Sequence, residues 1–188
     1  MLKTLQMQNS TTSSVAGVSI PDAASELKRR RESRNRLINF AQYTMPSYEP
    51  AEHLVSLSTK LEELESGKIK RLTVFMPPRH GKTELCSIRF PAWYLGRNPQ
   101  NQIIACSYAE GLAYSNSYAV RETISSPMYQ RLWQYKLDQA GAVRWQLAGK
   151  ENKRASYIAA GVGGGITGEG ADCLPAGTRI RTNYGNLS

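Results

Sequence analysis

Apolar positions fall into two periods along this chain, and their alternation predicts its elements. Leu54, Leu57, Leu61 and Leu64 recur at steps of three and four. That spacing predicts a helix over Ala51–Ser66 with one buried stripe, closed by Gly67 as its C-terminal cap. The run Leu72 to Met76 is short and mostly apolar, the pattern of a buried strand. After Pro77 and Pro78 a segment of helical length follows, Thr83 to Leu95, with a kink expected at Pro91 because an interior proline removes a hydrogen bond. Gln102–Ser107 reads as a second strand, Tyr108–Ile124 as a helix, and Pro127 as a further helix start. Val143–Leu147 and Ala155–Ala160 are further strand candidates. Strands alternating with helices imply an α/β fold with a largely parallel sheet and flanking helices. Upstream, a helical stretch begins at Pro21 and Asp22, whereas residues 1–20 are rich in Ser, Thr and Gln without a period and read as a disordered tail.

The order strand, tight loop, helix over residues 71–85 carries the first chemical signal. Main-chain N–H groups at a helix N-terminus point towards an anion, and the helix dipole adds to the attraction. Gly81, Lys82 and Thr83 open the helix. In a phosphate-binding loop the lysine reaches the β- and γ-phosphates of a nucleotide, and the threonine hydroxyl ligates Mg²⁺. The standard pattern places glycine where this chain has Met76, so the loop is a deviant one.

Composition narrows the class. The 188 residues are 40% hydrophobic, enough for one globular domain with tails. A net charge of +9 suits a polyanionic partner. Lys28, Arg29, Arg30, Arg31, Arg34 and Arg36 crowd the first helical stretch. They form either a solvated face or a contact to DNA or another component, and charge alone does not choose. Cys86, Cys106 and Cys173 have neither metal-ligand spacing nor an even disulfide framework. No stretch approaches the roughly 18 consecutive apolar residues of a membrane span, and the N-terminus lacks the apolar core of a signal peptide. A soluble, intracellular protein is expected. His53 reads as a surface or packing residue, and His80 has no evident metal partner.

The segments Met76–Leu85, Phe90–Pro99 and Ile103–Tyr108 closely resemble the large terminase subunit of tailed bacteriophages. The likeness extends upstream to Asn39–Pro50 and downstream through Ser125–Tyr129 to Gly163–Asp172. This resemblance implies a P-loop NTPase-type fold and a viral DNA-packaging ATPase using ATP and Mg²⁺ in the host cytoplasm. It also implies a homo-oligomeric ring working with double-stranded DNA, a portal and a small terminase subunit. Arg79 occupies the place of the arginine inside the family's deviant loop. Arg79, His80, Gly81, Lys82, Thr83 and Glu84 are then the nucleotide-binding set, with Thr83 towards the metal. The segment Asn39–Pro50 either lines the adenine pocket or simply packs. Arg121 is either an arginine finger towards a neighbouring subunit or a surface arginine beside Glu122. Gly161–Asp172 matches the glycine-rich approach to the second ATPase motif, after which a strand ending in paired acidic residues is expected.

The sequence instead runs on from Cys173 in a different pattern. Cys173, Leu174, Gly177, Thr178, Ile180, Thr182 and Gly185 resemble the beginning of an intein. Thr178–Thr182 alternates like a strand, and Asn183–Asn186 is turn-like. An intein opens with a nucleophile, and a cysteine sulfur can attack the preceding carbonyl, here that of Asp172. The resemblance therefore implies residues 21–172 as the N-terminal portion of a terminase ATPase domain and residues 173–188 as an intein N-terminal segment. A partner fragment would supply the acidic ATPase motif and the nuclease by trans-splicing, and ATP turnover is expected only in the joined protein. The competing readings are a truncated contiguous intein, and a non-splicing P-loop fragment that binds ATP or DNA and ends in a hairpin.

Overall fold

A computed structural model describes residues 23–152, 154–161 and 169–173. The expected disordered tail at residues 1–20, the alternating segment Thr178–Thr182 and the turn Asn183–Asn186 lie outside them. The helical layer begins with α1 (Ala23–Asn35), α2 (Leu37–Thr44) and α3 (Glu52–Glu65). A π-helical segment, Glu84–Arg89, leads directly into α4 (Phe90–Arg97). Then follow β1 (Ile103–Ser107), α5 (Glu110–Ser125), α6 (Pro127–Leu132), β2 (Leu137–Ala140), β3 (Arg144–Leu147) and β4 (Tyr157–Gly161).

The fold is α/β, but its sheet is mixed and not largely parallel. Strand order is β1-β4-β3-β2. β1 and β4 run parallel with Ala105 opposite Ala159, while β3 pairs antiparallel with both β2 and β4. Connection length explains the difference. A parallel neighbour needs a crossover of about a dozen residues or more. Only residues 141–143 separate β2 from β3, and residues 148–156 separate β3 from β4.

The strand expected at Leu72–Met76 is not formed. Residues 71–77 hold no regular secondary structure. Leu72, Val74 and Met76 rest against the core, whereas Phe75 is 93% exposed. This is the two-residue period of an extended chain, with no neighbouring ladder among the described residues. A strand exists only through its hydrogen-bonded neighbour, and apolar sequence cannot supply one.

The helix after the loop also differs from the expected form. The Phe90 amide donates to the Leu85 carbonyl, five residues back. Pro91, in the first turn of α4, has no N–H to continue the ladder, and the wide turn ends just ahead of it. Every residue from Pro91 to Gly96 is buried, so α4 lies inside the core. α3 buries Leu54, Leu57 and Leu61, with Leu64 partly covered, and Gly67 adopts φ +73° beyond its end.

Aromatic rings join the layers. Trp145 of β3 stacks on Tyr157 of β4 at 5.0 Å between centroids, and its indole N–H donates to Ser117 Oγ of α5 at 3.0 Å. Tyr129 packs against Phe40 and Trp133, and its hydroxyl donates to the Ala92 carbonyl. Gly96 lies so close to this cluster that a Cβ would stand 2.6 Å from the Trp133 ring. Alanine normally stabilises a helix interior relative to glycine, but here it forces a packed ring to move. Gly96→Ala is expected to lower stability by about 1–3 kcal/mol in urea unfolding, the usual range for overpacking.

Candidate functional site

The loop between the extended segment and the helix is shaped by two left-handed residues. Gly81 has φ +80°, and Arg79 at φ +63° is the non-glycine residue with positive φ among the described residues. Such a backbone costs an L-residue energy unless the surroundings hold it. Those surroundings come from α3. The φ of Gly81 favours glycine, and a Cβ there would stand 2.9 Å from Leu54 Cδ1, so that side chain would also have to shift. His53 Nε2 lies 3.3 Å from the His80 carbonyl, and His80 Nδ1 lies 2.7 Å from the Pro78 carbonyl. Carbonyls only accept, so each of these nitrogens carries its proton. His53, read as a surface or packing residue, is thus a tether of the loop.

Lys82 and Thr83 form the first helical residues, Lys82 half-buried and Thr83 exposed. Glu84, grouped with them from sequence, turns to Arg89 at 2.7 Å. Five residues separate the two, which a π-helical turn brings onto one face. Arg89 also donates to Thr44 Oγ1 at 3.1 Å and Thr123 Oγ1 at 3.4 Å. With Ile88, Glu122 and Ser126 these residues line a cleft of about 250 Å³. Sequence reasoning missed Arg89, because the i, i+5 spacing carries no signal on an α-helix.

Within Asn39–Pro50, Tyr43 is buried and its hydroxyl donates to Glu26 at 2.6 Å, which is packing and bracing. Hydrogen bonds from Tyr43 and Arg30 hold the Glu26 carboxyl below its usual range. Thr44 reaches the cleft instead. The basic helix divides likewise. Arg30 pairs with Glu26, Arg34 donates to the Leu132 carbonyl and Arg36 pairs with Glu62. Lys28, Arg29 and Arg31 are exposed. Arg121 is half-buried on α5, with its guanidinium 5.6 Å from the Tyr118 ring centre.

Asp172 and Cys173 lie far from the loop in sequence and against β1 in space. The Gln102 amide donates to Asp172 Oδ2 at 2.8 Å. The Gln102 carbonyl accepts from the Asp172 amide at 3.0 Å and the Cys173 amide at 3.3 Å, and the Ile104 amide donates to the Cys173 carbonyl at 3.1 Å. Cys173 thereby forms a parallel bridge with Ile103 on the edge of β1 away from β4. Burial, with a smaller contribution from the Asp172 charge, pushes the Cys173 thiol from 9.0 up to about 12. The folded state therefore holds this proton more tightly than the unfolded chain. Its contribution to stability is fully present below pH 9 and lost as pH rises from 9 towards 12. Thermal unfolding followed across that window is expected to show the decline in the wild type and less of it in Cys173→Ala.

Among the described residues no group of three or more His, Cys, Asp or Glu is placed to hold a metal ion. At the start of the helix, beside the positive-φ Gly81, Lys82 supplies a half-buried cation and Thr83 an exposed hydroxyl, a donor set whose chemistry suits a phosphate group. No described helix is long and apolar enough to cross a membrane. No protein-family model matches the chain, and no curated protein is significantly similar to it.

Proposed function

We propose that residues 1–172 are the N-terminal portion of a terminase-type DNA-packaging ATPase, and that Cys173 is the first residue of an intein. Splicing at Cys173 joins Asp172 to the C-terminal portion, which carries the acidic ATPase motif and the nuclease. The observation that carries this reading is the place of Cys173. Terminase-like sequence gives way to intein-like sequence at the residue where the chain enters the sheet beside β1.

In the first step the Cys173 sulfur bonds to the Asp172 carbonyl carbon, and the bond from that carbon to the Cys173 nitrogen breaks. The thiol proton ends on the freed amine, and an amide has become a thioester. The thioester is the better acyl donor, and the downstream nucleophile takes the acyl group from it. In the joined protein Arg79, Gly81 and Lys82 hold the nucleotide phosphates, and Thr83 takes a place in the Mg²⁺ shell. When bound there, Mg²⁺ would supply charge neutralisation for phosphoryl transfer. Double-stranded DNA, a portal and a small subunit are the partners of the joined ring.

The ATPase half of the proposal is tested on purified joined protein. Lys82→Ala is expected to lower DNA-stimulated ATP turnover at least about a hundredfold, the scale for removing a charge-stabilising donor. Turnover within twofold of the unsubstituted protein would contradict a phosphate-loop role for Lys82.

A further inference from the structure

We infer that the edge of β1 clips the Asp172–Cys173 junction into the sheet and withholds it from reaction until the junction leaves that edge. The consequence for splicing rests on the proposed role of Cys173; the clip itself does not. Four hydrogen bonds surround one peptide unit. Gln102 holds the Asp172 side chain and accepts from both junction amides, and Ile104 holds the Cys173 carbonyl. Acyl transfer from nitrogen to sulfur requires this peptide to twist and its nitrogen to gain a proton. Ladder bonds on both flanks oppose the twist.

The preceding residues are tied as well. Arg154 donates to the Gly170 carbonyl at 3.0 Å, and Arg144 pairs with Glu169. The same contacts restrain the Asp172 carboxylate. One oxygen accepts from the Gln102 amide, and that bond opposes attack of the carboxylate on its own carbonyl carbon, which would cleave the chain. The charged and titratable groups that act on this corner are Asp172 and Tyr94 at Cys173, and Lys150 and Arg154 beside Asp172. The thiol is partly buried against the core and held protonated, which removes the thiolate needed for attack. Packaging-enzyme fold and splicing fold thus compete for one dipeptide, and whatever draws Cys173 off β1 starts the reaction.

The test is the alkylation rate of Cys173 by iodoacetamide at pH 8 in the full chain, resolved by peptide mass spectrometry. Cys106, buried in β1, reports whether the sheet is intact. In the folded wild type Cys173 is expected to react at least about tenfold more slowly than in urea. Asp172→Ala is expected to raise its rate several-fold with Cys106 still protected. Asp172→Asn keeps an oxygen acceptor and is expected to match the wild type. Equal folded and unfolded rates at Cys173, with Cys106 protected, would overturn the clip. So would an Asp172→Ala rate unchanged from wild type. If Asp172→Ala unfolds the sheet, hydrogen exchange on the wild type decides: protected Ile104 and Cys173 amides uphold the clip, and free exchange refutes it. A protected Cys173 in a chain that never splices would sink the splicing proposal alone. Splicing from a freely alkylated Cys173 would sink the clip alone.

Discussion

With Cys173 proposed as the splicing nucleophile, Cys173→Ala is expected to eliminate ligated product completely when the chain meets the proposed C-terminal portion. Alanine has no nucleophile, so the Asp172 acyl group has nowhere to go. The substitution leaves the local fold in place, because every ladder bond at position 173 is made by main chain, to Gln102 and Ile104. Association of the two portions should therefore survive, and loss of product cannot be assigned to misfolding. Cys173→Ser separates the roles further. A hydroxyl at the same position is a far weaker nucleophile at neutral pH, so slow but measurable product is expected. Ligated product from Cys173→Ala, detected by intact mass, would show that another group attacks.

The largest loss of stability is expected from Trp145→Ala. The indole is 1% exposed, stacks nearly parallel on Tyr157 at 5.0 Å, and donates to Ser117 on the helix above. Truncation removes the contacts, leaves a cavity between sheet and α5, and strips Ser117 of a partner. Buried Trp→Ala changes cost about 3–5 kcal/mol. Against a typical domain stability of about 5–15 kcal/mol, the variant should be partly unfolded at 37 °C. Trp145→Phe keeps the stack and loses the N–H bond, for which about 1 kcal/mol is expected. Urea midpoints of the two variants measure the difference. A Trp145→Ala midpoint close to that of Trp145→Phe would mean that the ring contributes little packing.

Much of this fold was legible because its signals are local. The stripe Leu54, Leu57, Leu61 marks α3, and Gly67 stops it with the positive φ that such an end favours. β1, β3 and β4 follow from apolar runs within two residues of their observed ends. The failures share one cause, which is that pairing is not local. Leu72–Met76 has strand composition without a ladder, whereas β2 has a ladder although Asp138 and Gln139 interrupt its apolar pattern. A largely parallel sheet was the wrong expectation because short connections turned β2 and β3 antiparallel.

The candidate sites divide in the same way. Arg79 to Thr83 are contiguous, so the loop could be read directly. Arg89 meets Thr44 across 45 residues, and Asp172 meets Gln102 across 70. Only the folded chain brings these together. The sequence marked Cys173 as a candidate nucleophile, and the fold places it in a bridge beside β1 with its side chain partly buried.

Intact-mass spectrometry after co-expression of this chain with the reading frame downstream of it tests the central claim most directly. The account predicts a product in which residues 1–172 are joined to new sequence, with residues 173–188 removed. Two unchanged chains that copurify without any such product would contradict it.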